Sequence, residues 1–144
     1  MALVLVAVLV GLVLPVQAGV NAELRVSLGH PLTTAFVSFL IGTIALGLLM
    51  VLARVPLPAS RTAAQAPGWQ WIGGLLGAVY IAAAVVLAPR LGAATLIASV
   101  VTGQMLGSLV LDHFGWVGFT EHPVSLPRLA GALLVVAGVA LIRR

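Results

Sequence analysis

The chain is built from runs of about twenty apolar residues, separated by short links rich in Pro, Gly and Arg. An α-helix needs about that many residues to cross the roughly 30 Å hydrocarbon core of a bilayer. Residues 3–28, 32–53, 70–88, 92–111 and 127–142 each form such a run. The expected fold class is therefore all-α integral membrane, with five transmembrane helices making one domain over 1–144. A membrane β-barrel would show polar and apolar residues alternating over about ten positions. These runs are continuous and about twice that length, which excludes it. Composition agrees: 62% of residues are hydrophobic and 7% charged, whereas soluble domains carry about 25% charged residues.

The links have their own signals. Pro15 falls inside the first run and should kink it, because proline removes a backbone donor and clashes with the preceding turn. Gly29-His30-Pro31 ends that run, and Pro31 with Thr33-Thr34 is a plausible helix start. Arg54, Pro56 and Pro58 close the second run. Trp69 and Trp71 mark the entrance to the third, as expected for rings at the membrane–water boundary. Pro89-Arg90-Leu91-Gly92 reads as a very tight link, and Asp112 to Trp116 as an interfacial end. Val16-Gln17-Ala18 loosely resembles a signal-peptidase site. Since the amino-terminal region lacks positive charge, residues 3–28 are read as a retained first helix.

The net charge of +4 comes from seven Arg, no Lys and three acids. Apart from the adjacent Arg143 and Arg144 the arginines are scattered singly, so no basic stripe exists to follow a nucleic-acid backbone. The bias suits helix ends beside anionic lipid. With five spans, Arg54, Arg61 and Arg128 fall on the amino-terminal side, and Arg25, Arg90, Arg143 and Arg144 on the other. Orientation follows an excess of positive residues on one side, and here the excess is one. Either one orientation wins for other reasons, or the chain inserts both ways and opposite copies pair as an antiparallel homodimer. Such a dimer would reproduce the inverted-repeat plan of many transporters.

Polar groups inside hydrocarbon are costly and usually face a cavity or another helix. Gln17 and Asn21 share a helix face beyond Pro15 and could line a substrate path, cap a helix end or bond between helices. Tyr80 and Gln104 fall near the middles of the third and fourth runs, with an interhelical bond as the alternative to substrate contact. Ser38 and Trp71 complete the candidate substrate-binding set. Ser38 could instead bond to its own helix backbone, and Trp71 could be an interface anchor. Glu23 and Asp112 are candidate coupling carboxylates; Glu23 reads more simply as a solvated end, and Asp112 as a partner for Arg128 or His113. Asp112-His113 and Glu121-His122 match no firm metal spacing, so no metal or cofactor is expected. No Cys is present, and no nucleophile elbow, P-loop or dinucleotide fingerprint points to an enzyme. Gly73/Gly77 and Gly103/Gly107 have the Gly-x-x-x-Gly spacing that lets membrane helices approach closely. Ser99, Gly103 and Gly107 on one stripe are the expected dimer contact.

Ordered blocks along the chain carry a resemblance. They are Leu14-Pro15-Val16-Gln17-Ala18-Gly19-Val20-Asn21-Ala22, Ser38 to Thr43, Trp71 to Tyr80, Pro89 to Ala94, Gly103-Gln104 and Asp112 to Gly115. Together they resemble the YdcZ family of the drug/metabolite transporter superfamily, whose members are described as exporters of the bacterial inner membrane. The resemblance implies a five-helix half-transporter, since related proteins have ten helices from two oppositely oriented halves, and small ones pair as antiparallel homodimers. It favours the dual-topology reading and implies export of a small molecule by alternating access, within membrane lipid. A central acid, the usual mark of proton-coupled cation export, is missing. A non-transporting subunit or scaffold, and a small-ion channel, are the alternative functions.

Overall fold

A computed structural model describes residues 2–142, except for the side chains of Ala2 and Thr62. Arg143 and Arg144, which enter the charge balance, lie outside the described residues. The elements are α1 (Ala2–Gly11), α2 (Val13–Leu28), α3 (Pro31–Leu52), α4 (Ser60–Ala64), α5 (Ile72–Phe114) and α6 (Leu126–Ile142), with 3-10 turns at Gly68–Trp71 and Trp116–Gly118. No strand occurs among the described residues. Three helical stretches are long and apolar enough to cross a membrane: Leu3–Leu28, Pro31–Leu52 and Gly68–Phe114; Leu126–Ile142 is shorter. Their outward faces are Leu, Val, Ile and Phe, with Val51, Leu75 and Leu134 all more than 60% exposed. Such faces would be untenable in water and are what lipid requires.

Local chemistry accounts for the breaks. The helix is interrupted at Leu12, within one turn of Pro15, where the proline has no N–H to give and its ring crowds the preceding carbonyls. Gly29 takes φ 77°, the left-handed conformation that ends α2, and its N–H is donated to the Arg25 carbonyl at 2.8 Å. His30 then caps α3: its Nδ1 accepts from the Leu32 N–H at 3.2 Å, and Pro31 fills the first helical position, where no donor is needed. At the other end of α3, Arg54 at φ 53° closes the helix, with the Arg54 N–H donated to the Val51 carbonyl and the Val55 N–H to the Met50 carbonyl. This is a Schellman motif, the usual way of satisfying the last carbonyls.

The link expected at 89–92 is narrower than its composition suggests. Helical structure continues through Pro89, Arg90 and Leu91, and only Gly92 departs from it, at φ 75° and ψ 160°. Such a conformation is open to glycine and closed to other residues. The connection from Val55 to Gly68 contains the short α4, started by the Ala63 N–H donating to the Ala59 carbonyl.

The chain divides into two compact units, residues 16–89 and residues 1–15 with 90–144. Both boundaries fall beside prolines, Pro15 and Pro89. In the first unit, Ala35 of α3 packs with Ile81 and Val85 of α5, flanked by Tyr80 and Ala82. Ala18 and Asn21 of α2 and Thr34 of α3 are also buried there. In the second unit, Leu96 and Leu109 of α5 and Ala132 of α6 are buried.

Candidate functional site: a polar pocket among apolar helices

Within the 16–89 unit, a pocket of about 220 Å³ is lined by Gln17 of α2, by Ser38, Phe39, Gly42, Thr43 and Leu46 of α3, and by Ile81 of α5. The spacing explains the α3 wall. Residues 38, 39, 42, 43 and 46 recur at intervals of three and four, so they share one helix face. Gly42 leaves that face open: a β-carbon there would meet nothing within 4 Å. Phe39 is held from behind by α5, where a β-carbon on Gly77 would stand 3.3 Å from the Phe39 ring. The absent side chain at Gly77 thus lets the ring sit where it walls the pocket.

The hydroxyls of this helix behave differently from one another. Thr34 Oγ1 donates to the His30 carbonyl at 3.1 Å, and Thr43 Oγ1 to the Phe39 carbonyl at 2.8 Å. Both protons are spent on the helix's own backbone, as is usual in apolar surroundings. Ser38 is half-buried and makes no side-chain hydrogen bond among the described residues. Gln17 makes none either, nor does Asn21, one turn further along the same face and only 5% exposed. Gln17 is exposed and Ser38 half-buried, and no fully buried side-chain nitrogen or oxygen among the described residues lacks a partner. The pocket therefore offers the Gln17 amide and the Ser38 hydroxyl as free donors and acceptors, and the Thr43 oxygen as an acceptor alone.

Two other clefts differ in kind. In the second unit, α5 and α6 form a groove of about 460 Å³ lined by Pro15, Ala93, Ala94, Ile97, Ala98, Val101, Val135, Gly138, Val139 and Ile142. Its lining has no polar side chain. At the other end of the same unit, Arg128 of α6 binds the Asp112 carboxylate at the end of α5, and donates to the His122 carbonyl at 2.6 Å. The Asp112 carbonyl accepts from the His122 N–H at 2.7 Å, and His113 Nδ1 from the Val124 N–H at 3.2 Å. This network clasps the α5–α6 connection. It places Asp112 in an ion pair with Arg128, and no group of three or more metal-ligating side chains occurs among the described residues.

The other sequence candidates are dispersed. Tyr80 is half-buried beside the α3–α5 core, and Gln104 is exposed on α5. Trp71 ends the 3-10 turn at Gly68–Trp71 and is 60% exposed. Glu23 is exposed on α2. Ser99, Gly103 and Gly107 are all exposed; Ser99 donates to the Thr95 carbonyl at 2.7 Å, and both glycines face open space. Of the six proposed substrate contacts, the structure brings Gln17 and Ser38 together in one pocket. Sequence reasoning missed Phe39, Gly42, Leu46 and Ile81 as its walls. The signal was present in the three- and four-residue spacing around Ser38, but a helix apolar on every side does not reveal which face is used.

Comparison with known proteins places the chain. A family model described as "Putative inner membrane exporter, YdcZ" matches residues 2–141. The chain belongs to this family. It is a multi-pass inner-membrane protein of a transporter family, which is not an enzyme class. Inner membrane protein YdcZ of Escherichia coli (strain K12) is 38% identical over 76 residues, covering 53% of this chain and 50% of that relative. The matched stretch thus spans half the length of the curated relative. No solved structure matches the chain significantly.

Proposed function

We propose that the protein is a secondary transporter that exports a small molecule, with the 16–89 pocket as its substrate site. The observation that carries this reading is the pair of polar side chains, Gln17 and Ser38, lining one cavity between α2 and α3 with hydrogen-bonding capacity not used within the chain. Membrane to transporter is the step supplied by the family; pocket to site is supplied by the convergence of two polar side chains on one cavity, since polar groups within membrane helices usually face a cavity or another helix. Asn21, Tyr80, Trp71 and Gln104 would extend the path from this pocket. Glu23 and Asp112 would be the carboxylates to consider for coupling, with Asp112 the poorer choice because Arg128 already engages it.

The working unit on this reading is an antiparallel homodimer. A 43-residue helix would be about 65 Å long, twice the hydrocarbon thickness. Gly92 divides α5 into two lengths, each adequate for one span, so that the chain has five spans and its ends fall on opposite sides. Two copies in opposite orientation would then supply the ten helices of the superfamily plan, alternating access by rocking of the halves. Ser99, Gly103 and Gly107, exposed and open, suit the contact between copies.

Purified protein alone in proteoliposomes should mediate saturable transport of a small solute, with counterflow when unlabelled solute is placed on the other side. Gly42→Leu should abolish it. The new side chain grows from a position with open space and fills the pocket, so insertion and detergent-solubilised folding should be retained. Transport that persists at the wild-type rate in Gly42→Leu would remove the pocket from the pathway. Conductance without saturation would favour a channel, and absence of any flux a non-transporting subunit.

A further inference from the structure

The lining of the Gln17–Ser38 pocket also specifies its cargo. Resting on the reading of that pocket as the substrate site, we infer that it takes a small, uncharged, planar molecule presenting a hydrogen-bond donor and an acceptor side by side, as a carboxamide, lactam or nitrogen heterocycle does.

Charge is the first constraint. None of Gln17, Ser38, Phe39, Gly42, Thr43, Leu46 and Ile81 is ionisable. The nearest acid along α2, Glu23, is six residues from Gln17, about 9 Å along the helix axis, and is exposed. An ion in this pocket would lose its hydration with no opposite charge to replace it, a cost that uncharged amides and hydroxyls do not offset. Cations and anions are therefore both disfavoured by the same lining.

Polarity is the second. A purely apolar solute would bury the Gln17 amide and the Ser38 hydroxyl without partners. Sites built from hydrogen-bonding groups reject analogues that cannot bond to them much more strongly than apolar pockets reject a missing methylene. The Gln17 side chain presents an N–H pair beside a carbonyl oxygen, and Ser38 can reverse its role. The Thr43 oxygen adds an acceptor because its proton is held by the Phe39 carbonyl. Such a set is matched by a molecule whose own donor and acceptor are adjacent.

Shape is the third. The Phe39 ring forms one wall, and the missing side chain of Gly42 leaves the neighbouring stretch of α3 flat. A flat solute lies against both, and aromatic faces favour offset stacking. The volume of about 220 Å³ is below the roughly 300–1,000 Å³ of pockets for drug-sized ligands, so the cargo is a single ring or its equivalent.

Three probes of nearly equal size separate these constraints: nicotinamide, which is neutral; nicotinate, its anionic counterpart; and 1-methylnicotinamide, its cationic one. Binding of labelled nicotinamide to the purified full-length protein in detergent, with the two ions as competitors, reads the pocket without reference to transport. Nicotinamide should bind at least about 10-fold more tightly than either ion. Gln17→Leu and Ser38→Ala should each weaken it about 10-fold, the loss of one hydrogen bond to the ligand. Gly42→Leu should eliminate binding while the protein remains monodisperse. Failure of nicotinamide to bind, equal or tighter binding of either ion, or unchanged binding in both Gln17→Leu and Ser38→Ala would overturn the inference and leave export itself standing. Selective binding of nicotinamide by a protein that moves no solute across proteoliposomes would support the pocket assignment and overturn export instead.

Discussion

Single residues set where each helix stops, and one of them does so at a cost. Arg54 holds the left-handed position of the Schellman motif that ends α3. That conformation favours glycine, because a β-carbon there crowds the following carbonyl at about 1 kcal/mol or more. Arg54→Gly should accordingly stabilise the purified protein in detergent by about 0.5–1 kcal/mol, read as a rise in thermal unfolding temperature; a fall would show that the arginine side chain contributes more than its backbone costs. Residues of this kind were only partly legible. The break at Gly29-His30-Pro31 could be read directly, since Gly and Pro announce it. The His30 cap could not, because imidazole is an uncommon capping group and only the ring position identifies it. Ser38 was visible as a polar residue in an apolar run. That it keeps a free hydroxyl while Thr34 and Thr43 bond to their own helix depends on the rotamer, which spacing does not encode.

At the scale of elements, the position of α3 against α5 decides the shape of the pocket. The contact is Phe39 on Gly77, and Phe39 belongs at once to the packing and to the wall. Gly77→Ala puts a methyl group 3.3 Å from the ring, which must yield by a few tenths of an ångström. The ring is 38% exposed and can move. Ala is also the better helix former by about 0.5–1 kcal/mol, so stability should change by less than about 1 kcal/mol while substrate affinity falls several-fold. Chemical denaturation and ligand binding on the same preparation would check this; a large stability loss would mean that the two helices cannot adjust. The Gly-x-x-x-Gly spacing of Gly73 and Gly77 announced close packing, and one of the pair delivers it within the chain. Its partner residue was not readable, because α3 is apolar all round and its sequence does not say which face turns inward. The α5–α6 connection allows a second element-scale test. Asp112→Asn removes the charge from the clasp but retains an acceptor for Arg128 and leaves the Asp112 and His122 backbone contacts in place. Transport should persist with stability lowered by about 1 kcal/mol. Complete loss of transport in a well-folded variant would instead make Asp112 a coupling carboxylate.

For the whole molecule, the proposed topology turns on the balance of arginines across the membrane. The long apolar runs made an integral membrane protein legible at once, since no soluble core can use them. Hydropathy could not supply orientation, because it is indifferent to direction; only the charges carry that information, and on the proposed five-span reading three arginines oppose four. A chain so poised inserts both ways on the proposed reading, and a modest added charge should tip it. Two Lys placed in the polar connection at 55–68 raise the count on that side to five against four, and should drive the copies towards one orientation, seen by labelling single cysteines introduced near the two termini from either side of the membrane. Transport should then fall, because the antiparallel partner is missing. Two Lys placed beside Arg90 instead should fix the opposite orientation and also lose activity. Co-expression of the two inactive variants should restore transport, since each supplies the half that the other lacks. A scaffold or a single-orientation transporter gives no reason for two inactive chains to rescue one another. Uniform labelling of the unaltered protein from one side, or failure of the paired variants to recover activity while both are inserted oppositely, would overturn the antiparallel dimer.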